Sequence, residues 1–270
     1  MIPAPAATTL LAVAHGTRDP EGVASYGTLL DRVRAMRPGL PVRLAFLDIA
    51  APSLDRTLAG LRGEVVVVPL LLSAGYHVHV DIPASLAAAP RLRAAVAAAL
   101  GPDPLLAEAL HDRLTQAGWH RAPGRRGAAG QAVVLAAAGS SDPAANADTA
   151  RTAELLRERL GVDVVPSYLC ASSPTPAEAV ARLRAAGRQV AVASYLVAPG
   201  FFARAAARAA AGGGSARTAG PARPARGTDG LVTGPVGTHA AVARLVLRRY
   251  DQAVARTAGR RAGLQYTSRA

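Results

Sequence analysis

The sequence predicts an α/β protein built from two tandem halves, each with a small parallel sheet flanked by helices. Three observations predict this fold class. Short runs of Val, Leu and Ala alternate with segments of helical spacing, which is typical of parallel sheets. The pattern then starts again in the second half of the chain. Half of the 270 residues are apolar, which is enough for a sizeable core.

The first half reads as four strands and four helices. Strands are predicted at residues 8–14, 42–47, 65–72 and 94–100. Helices are predicted at residues 23–36, 52–61, 85–89 and 105–115. Pro90 divides an alanine-rich region, which places a short helix before it and a strand after it. The polar, glycine-rich run at 117–130 is predicted to be a linker.

Three motifs of the first half recur in the same order 122 to 125 residues later. HGTRDP at 15–20 is matched by AGSSDP at 138–143, and Gly75 is matched by Gly200. The third pair is VRLAFLDIAAPSL with VVPSYLCASSPTP. This order indicates an internal duplication, with the halves at residues 1–122 and 123–270.

The second half is predicted to repeat the strand and turn architecture. Its first strand covers 133–138, and a last strand and turn at 231–237 precede a closing helix at 242–254. The segment at 212–227 consists of Gly, Ala, Arg and Pro with few other residues. That composition predicts a disordered loop.

Three polar residues each follow a strand of the first half: His15, Asp48 and His77. The carboxyl ends of parallel strands meet at one edge of a sheet, where ligands usually bind. Two imidazoles and a carboxylate suit Fe²⁺, Co²⁺ or Ni²⁺, and three protein ligands leave positions open for substrate. The matched positions of the second half lack this set, since they hold Ala138, Cys170 and Phe202.

Several polar residues near the strand ends also fit a role that involves no metal. His15 alone can be a hydrogen-bonded turn residue, and Asp48 can cap the helix at 52–61. Asp81 resembles a cap or turn residue more than a ligand, and His79 can be a solvated neighbour. The joint position of His15, Asp48 and His77 at three strand ends, and the absence of such residues from the second half, favour a metal site.

Charge and composition limit the classes of partner. The net charge is +13, and all 31 basic residues are arginine. These arginines are scattered with few aromatic residues among them, which argues against nucleic acid and leaves a small polyanionic substrate compatible. The single cysteine, Cys170, excludes an internal disulfide and suits a reducing interior. No apolar run reaches the ~18 residues of a membrane span and no signal peptide is recognisable, so a cytoplasmic protein is expected.

Three motifs together resemble the class II tetrapyrrole chelatases, the sirohydrochlorin cobalto- and ferrochelatases of the CbiX/SirB type. They are AHGTR at 14–18, AFLD at 45–48 followed by APS, and PLLLSAGYHVHVDIP at 69–83. The resemblance covers nearly the whole chain. The long form of that family is likewise a duplication with one functional half.

The resemblance implies an enzyme that inserts Fe²⁺ or Co²⁺, with Ni²⁺ as a further candidate, into sirohydrochlorin without an organic cofactor. His15 and His77 match the histidines that bind the metal, one of which takes pyrrole protons. Asp48 stands where a glutamate is common. The macrocycle is expected in the cleft between the halves, with Arg18 near its carboxylates. A monomer is expected because the duplication replaces a dimer.

Three other interpretations stay open at this point. A metal or tetrapyrrole carrier would use the same histidines without turnover. A nucleic-acid-binding protein would need salt-sensitive affinity for DNA or RNA, which the scattered arginines do not favour. A dinucleotide-binding enzyme is disfavoured because no G-x-G-x-x-G follows the first strand.

Overall fold

The computed structural model describes residues 8–211 and 230–267, with side chains described up to residue 259. The loop predicted at 212–227 lies outside the described residues. The chain divides into two compact units. Unit 1 combines Met1–Leu100 with Ala243–Ala270, and unit 2 is Gly101–Val242.

Unit 1 contains a parallel four-stranded sheet in the order β2-β1-β3-β4. The strands are β1 (Thr9–Ala14), β2 (Val42–Phe46), β3 (Glu64–Pro69) and β4 (Arg93–Val96). The helices are α1 (Pro20–Met36), α2 (Leu54–Gly60) and α3 (Ile82–Ala87). Side chains of the strands and helices form one buried core, to which Leu11, Val67, Leu54 and Ile82 contribute.

Unit 2 has a parallel sheet of three strands in the order β6-β5-β7. These are β5 (Gln131–Ala137), β6 (Asp163–Tyr168) and β7 (Gln189–Tyr195). The helices of the unit are α4 (Pro104–Gln116), α5 (Gly124–Ala129), α6 (Pro143–Leu160), α7 (Pro176–Ala185) and α8 (Phe201–Ala210). The predicted strand at 231–237 is present only as a single bridge from Val232 to Val192.

The helix that ends each sequence repeat does not belong to the unit formed by the rest of that repeat. Helix α4 packs against α6 and β7 of unit 2. Helix α9 (Ala240–Thr267) enters unit 1, where Tyr250 donates a hydrogen bond to the carbonyl of Thr8 and Arg249 to the carbonyls of Ala99 and Leu100. The compact units therefore differ from the predicted division at residues 122 and 123.

Local sequence explains where several elements start and stop. Helix α1 begins three residues earlier than predicted because Asp19 caps it, accepting from the backbone N–H of Glu21, while Pro20 occupies its first turn. The predicted linker at 117–130 is not free of structure, since it includes α5.

The helix predicted at 85–89 starts earlier and has a different form. A π-helix over His77–Asp81 runs directly into α3. π-Helical turns are rare and commonly occur at functional sites. This one contains His77, a residue of the predicted metal site.

Among the helices of the described residues, none combines the length and the apolar character of a membrane span.

Candidate functional site

His15 is held at the end of β1 by a close backbone contact with Asp48. The N–H of Asp48 donates to the carbonyl of His15 at 2.9 Å. The next residue, Gly16, has φ of +111°, and a Cβ atom there would lie 1.9 Å from the carbonyl oxygen of Asp48. Only glycine fits this position, so the turn fixes the backbone of His15 beside that of Asp48.

The second repeat keeps the same turn without the same side chains. Gly139 has φ of +92°, and a Cβ atom there would lie 2.0 Å from the carbonyl oxygen of Cys170. The N–H of Cys170 donates to the carbonyl of Ala138 at 2.9 Å. The glycine turn is therefore a feature of the fold in both repeats, whereas the histidine and carboxylate are present only in the first repeat.

His77 opens the π-helix and is oriented by Asp81. Its Nδ1 atom lies 2.5 Å from Oδ2 of Asp81, and both side chains are 37% exposed. A carboxylate can only accept, so the hydrogen between them sits on Nδ1 when the imidazole is neutral. This leaves the lone pair of Nε2 available to a metal ion or a proton, which is the usual arrangement of a ligating histidine.

The rings of His15 and His77 lie next to each other. Their centroids are 4.7 Å apart and their planes are almost perpendicular, at 87°. Desolvation by neighbouring atoms is the largest cause that lowers the pKa of His15, and repulsion from His77 lowers it further, while Asp48 acts in the opposite direction. His15 is therefore neutral near pH 7 and can offer a lone pair.

Asp48 is near this pair without completing a ligand set. One of its carboxylate oxygens, Oδ1, accepts from the N–H of Ile49 at 2.7 Å. Across residues 8–211 and 230–267, no group of three or more His, Cys, Asp or Glu side chains is arranged to hold a metal ion. The expected set of His15, His77 and Asp48 is thus represented by a histidine pair with a nearby carboxylate. Ligation by Asp48 stays a prediction.

Arg18 and Asp81 are two further residues whose roles were expected from the sequence. Arg18 is exposed in the loop between β1 and α1, and its contact with a substrate carboxylate stays a prediction. Asp81 has a more specific place than the cap or turn residue expected from sequence, because it contacts His77. The signal was the spacing of four residues between them, which puts two side chains on one face of a helix.

The family model of CbiX matches residues 9–117 and 132–253. The chain belongs to the CbiX family. The two matches in tandem confirm the internal duplication that the repeated motifs predicted.

Two relatives come from Priestia megaterium. A sirohydrochlorin cobaltochelatase is 28% identical over 210 residues, which cover 72% of this chain and 65% of that protein. A sirohydrochlorin ferrochelatase is 26% identical over 204 residues, which cover 72% of this chain and 74% of that protein. The match therefore spans slightly less than two thirds of the first relative's length.

Two solved structures share the fold of this chain. SirB from Bacillus subtilis with Fe³⁺ superimposes with a TM-score of 0.73 at 23% identity, covering 94% of this chain and 98% of SirB. CbiX from denitrifying bacteria gives 0.63 at 21% identity, covering 91% of this chain and 99% of that one. These likenesses confirm the α/β fold with two parallel sheets.

Proposed function

We propose that this CbiX-family chain is a sirohydrochlorin chelatase, a lyase that inserts Fe²⁺ or Co²⁺ into the macrocycle in sirohaem or cobalamin biosynthesis. The observation that carries the proposal is the contact between the rings of His15 and His77, whose centroids are 4.7 Å apart, with Asp81 at the Nδ1 atom of His77. Family membership and the names of the two Priestia relatives support the same reaction.

The reaction needs a metal donor and a proton acceptor in one place. Two pyrrole N–H bonds break, the metal binds the four ring nitrogens, and two protons leave. A pair of neutral imidazoles can hold M²⁺ weakly enough to release it, because several coordination positions stay open for water and substrate. An imidazole is also a suitable base near neutral pH.

The two histidines differ in ways that suggest different tasks. The lowered pKa of His15 favours its neutral form, which suits a ligand that carries the metal to the ring. His77 has a carboxylate on Nδ1, which orients the ring and leaves Nε2 to accept a pyrrole proton. We therefore assign metal delivery mainly to His15 and proton abstraction mainly to His77.

The remaining expectations belong to the same proposal. Asp48 attracts the cation electrostatically from beside His15, and Arg18 contacts a carboxylate at the edge of the macrocycle. Ni²⁺ is a third candidate metal, since histidine ligands bind several first-row ions. We propose a cytoplasmic monomer that takes sirohydrochlorin as partner, needs no organic cofactor and binds neither nucleic acid nor membrane.

Turnover tests the proposal. A small amount of the full chain is incubated anaerobically with a large excess of sirohydrochlorin and Fe²⁺ or Co²⁺, and the absorption of the macrocycle is followed. We expect metallated product many times in excess of the protein. An assay that offers Fe²⁺, Co²⁺ and Ni²⁺ together then identifies the preferred metal.

The alternative of a carrier gives a different result in the same assay. A metal or tetrapyrrole carrier binds in a stoichiometric amount and produces no product beyond the uncatalysed rate. Product formation no faster than in a protein-free control contradicts the proposed enzyme.

A further inference from the structure

Large apolar side chains are exposed at positions next to residues of the candidate site. Among the described residues, five large hydrophobic residues are at least 42% exposed: Met36, Ile49, Tyr76, Val80 and Phe201. Three of them adjoin residues of the candidate site: Ile49 follows Asp48 and is 50% exposed, Tyr76 precedes His77 and is 65% exposed, and Val80 lies in the π-helix that His77 opens and is 42% exposed. Single exposed apolar residues are ordinary, but a group around one polar site is typical of a ligand-contacting surface.

Ile49 adopts a backbone conformation that a β-branched residue rarely accepts. Its φ is +66°, and the N–H of Ala50 contacts the carbonyl of Asp48 at 2.6 Å across it, which makes a tight three-residue turn. In the second repeat, Ala171 has the same kind of backbone, with φ of 56°. The turn therefore does not need isoleucine, and the first repeat carries a bulkier side chain at greater steric cost.

Tyr76 differs from Ile49 in that the second repeat keeps a side chain of the same kind at the matched position. Its ring lies against His77, with centroids 6.4 Å apart and planes at 76°. The matched residue of the second repeat is Phe201, which is 68% exposed. The next position has changed from His77 to Phe202, yet an exposed aromatic ring stays at this turn in both repeats. An aromatic side chain left in water in both copies contributes little to the core.

We propose that Ile49 and Tyr76 form an apolar seat for one face of the tetrapyrrole macrocycle beside His15 and His77. This inference rests on the proposed function. A tetrapyrrole is a broad conjugated ring with its carboxylates at the edge, so its face is the part that gains from apolar and aromatic contact. The seat orients the ring with its nitrogens towards the histidine pair.

Binding of metal-free sirohydrochlorin to the full chain tests the seat, followed by the change in macrocycle absorption on titration. We expect Ile49→Asn and Tyr76→Ser each to weaken binding about tenfold. The conservative variants Ile49→Val and Tyr76→Phe should bind within about twofold of the natural chain, because they keep the apolar contact. Met36→Ser is the matched control at an exposed apolar residue at the end of α1, and it should leave binding unchanged.

Thermal unfolding separates this role from a structural one. Asparagine tolerates positive φ better than isoleucine, so Ile49→Asn should unfold at the same or a higher temperature than the natural chain while it binds the macrocycle less tightly. If the natural chain binds and metallates sirohydrochlorin but Ile49→Asn and Tyr76→Ser bind it equally well, the seat is wrong. If the natural chain does neither, the proposed function is wrong as well.

Discussion

The Nδ1 atom of His77 lies 2.5 Å from Oδ2 of Asp81, so the carboxylate fixes both the orientation of the imidazole and the nitrogen that carries its hydrogen. The free nitrogen, Nε2, is then the one that can meet a metal ion or a pyrrole proton. We therefore expect Asp81 to affect the proposed metal insertion without touching the metal.

Replacing Asp81 tests that relationship. Asp81→Asn keeps the size of the side chain but removes the charge, so we expect Co²⁺ affinity and insertion rate to fall about 10- to 100-fold. Isothermal titration and the absorption assay measure the two quantities. Asp55→Asn, an exposed carboxylate in the first turn of α2, is the control. Equal affinity and rate for Asp81→Asn and the control contradict the orienting role.

The protonation of His15 can be read directly by NMR in the metal-free protein. Because desolvation and the neighbouring His77 lower the pKa of His15, its titration midpoint should lie below 6.5. His77→Ala removes the repulsion and should raise that midpoint. Asp48→Asn removes the favourable charge and should lower it further.

The same shift has a consequence for pH dependence. The neutral form of His15 should persist below pH 6.5, so metal binding by this residue is lost only as the pH falls through its lowered pKa. A midpoint at or above 6.5 in the natural chain contradicts this account of the site.

The two glycine turns allow a matched comparison between the repeats. Gly16→Ala and Gly139→Ala each force a Cβ atom into a carbonyl oxygen, so each should lower the free energy of unfolding by about 2–4 kcal/mol in urea. Only Gly16→Ala should also reduce the insertion rate per folded molecule, because it displaces His15. Equal loss of that rate in both variants contradicts a site confined to the first repeat's residues.

The placement of α9 in unit 1 is tested at Tyr250. Its hydroxyl donates to the carbonyl of Thr8 at 2.8 Å, and the ring is buried. Tyr250→Phe should lower the free energy of unfolding by about 1 kcal/mol, because the carbonyl loses a partner. Tyr76→Phe is the control, since Tyr76 is exposed, and it should change stability little. No loss in Tyr250→Phe contradicts the packing of α9 described above.

Much of unit 1 could be predicted because buried parallel strands have a strong signal. The run at 8–14 corresponds to β1 (Thr9–Ala14), and the run at 42–47 corresponds to β2 (Val42–Phe46). The position of His15 next to His77 follows from the same reasoning, since both leave the carboxyl edge of one sheet. The repeated motifs at 15–20 and 138–143 also indicate the matched turns that contain Gly16 and Gly139.

Other features depend on contacts that spacing alone does not encode. An amphipathic helix such as α4 shows which side is apolar, but not which sheet that side covers, so the composition of the units was not predicted. The spacing of four residues brings Asp81 to His77 only where both lie in one helix, and the π-helix there has no simple sequence pattern. The carboxylate of Asp48 turns to the N–H of Ile49 within its own turn, and position at a strand end could not predict that direction.

The most direct test of the account is the initial rate of Co²⁺ insertion into sirohydrochlorin by the natural chain and by three histidine variants. His15→Ala and His77→Ala should each lose about 100-fold or more of the rate, because each removes a ligand or base of the reaction. His79→Ala, at the exposed histidine two residues from His77, should stay within about twofold. If His15→Ala and His77→Ala insert Co²⁺ as fast as His79→Ala, the histidine pair is not the site of insertion.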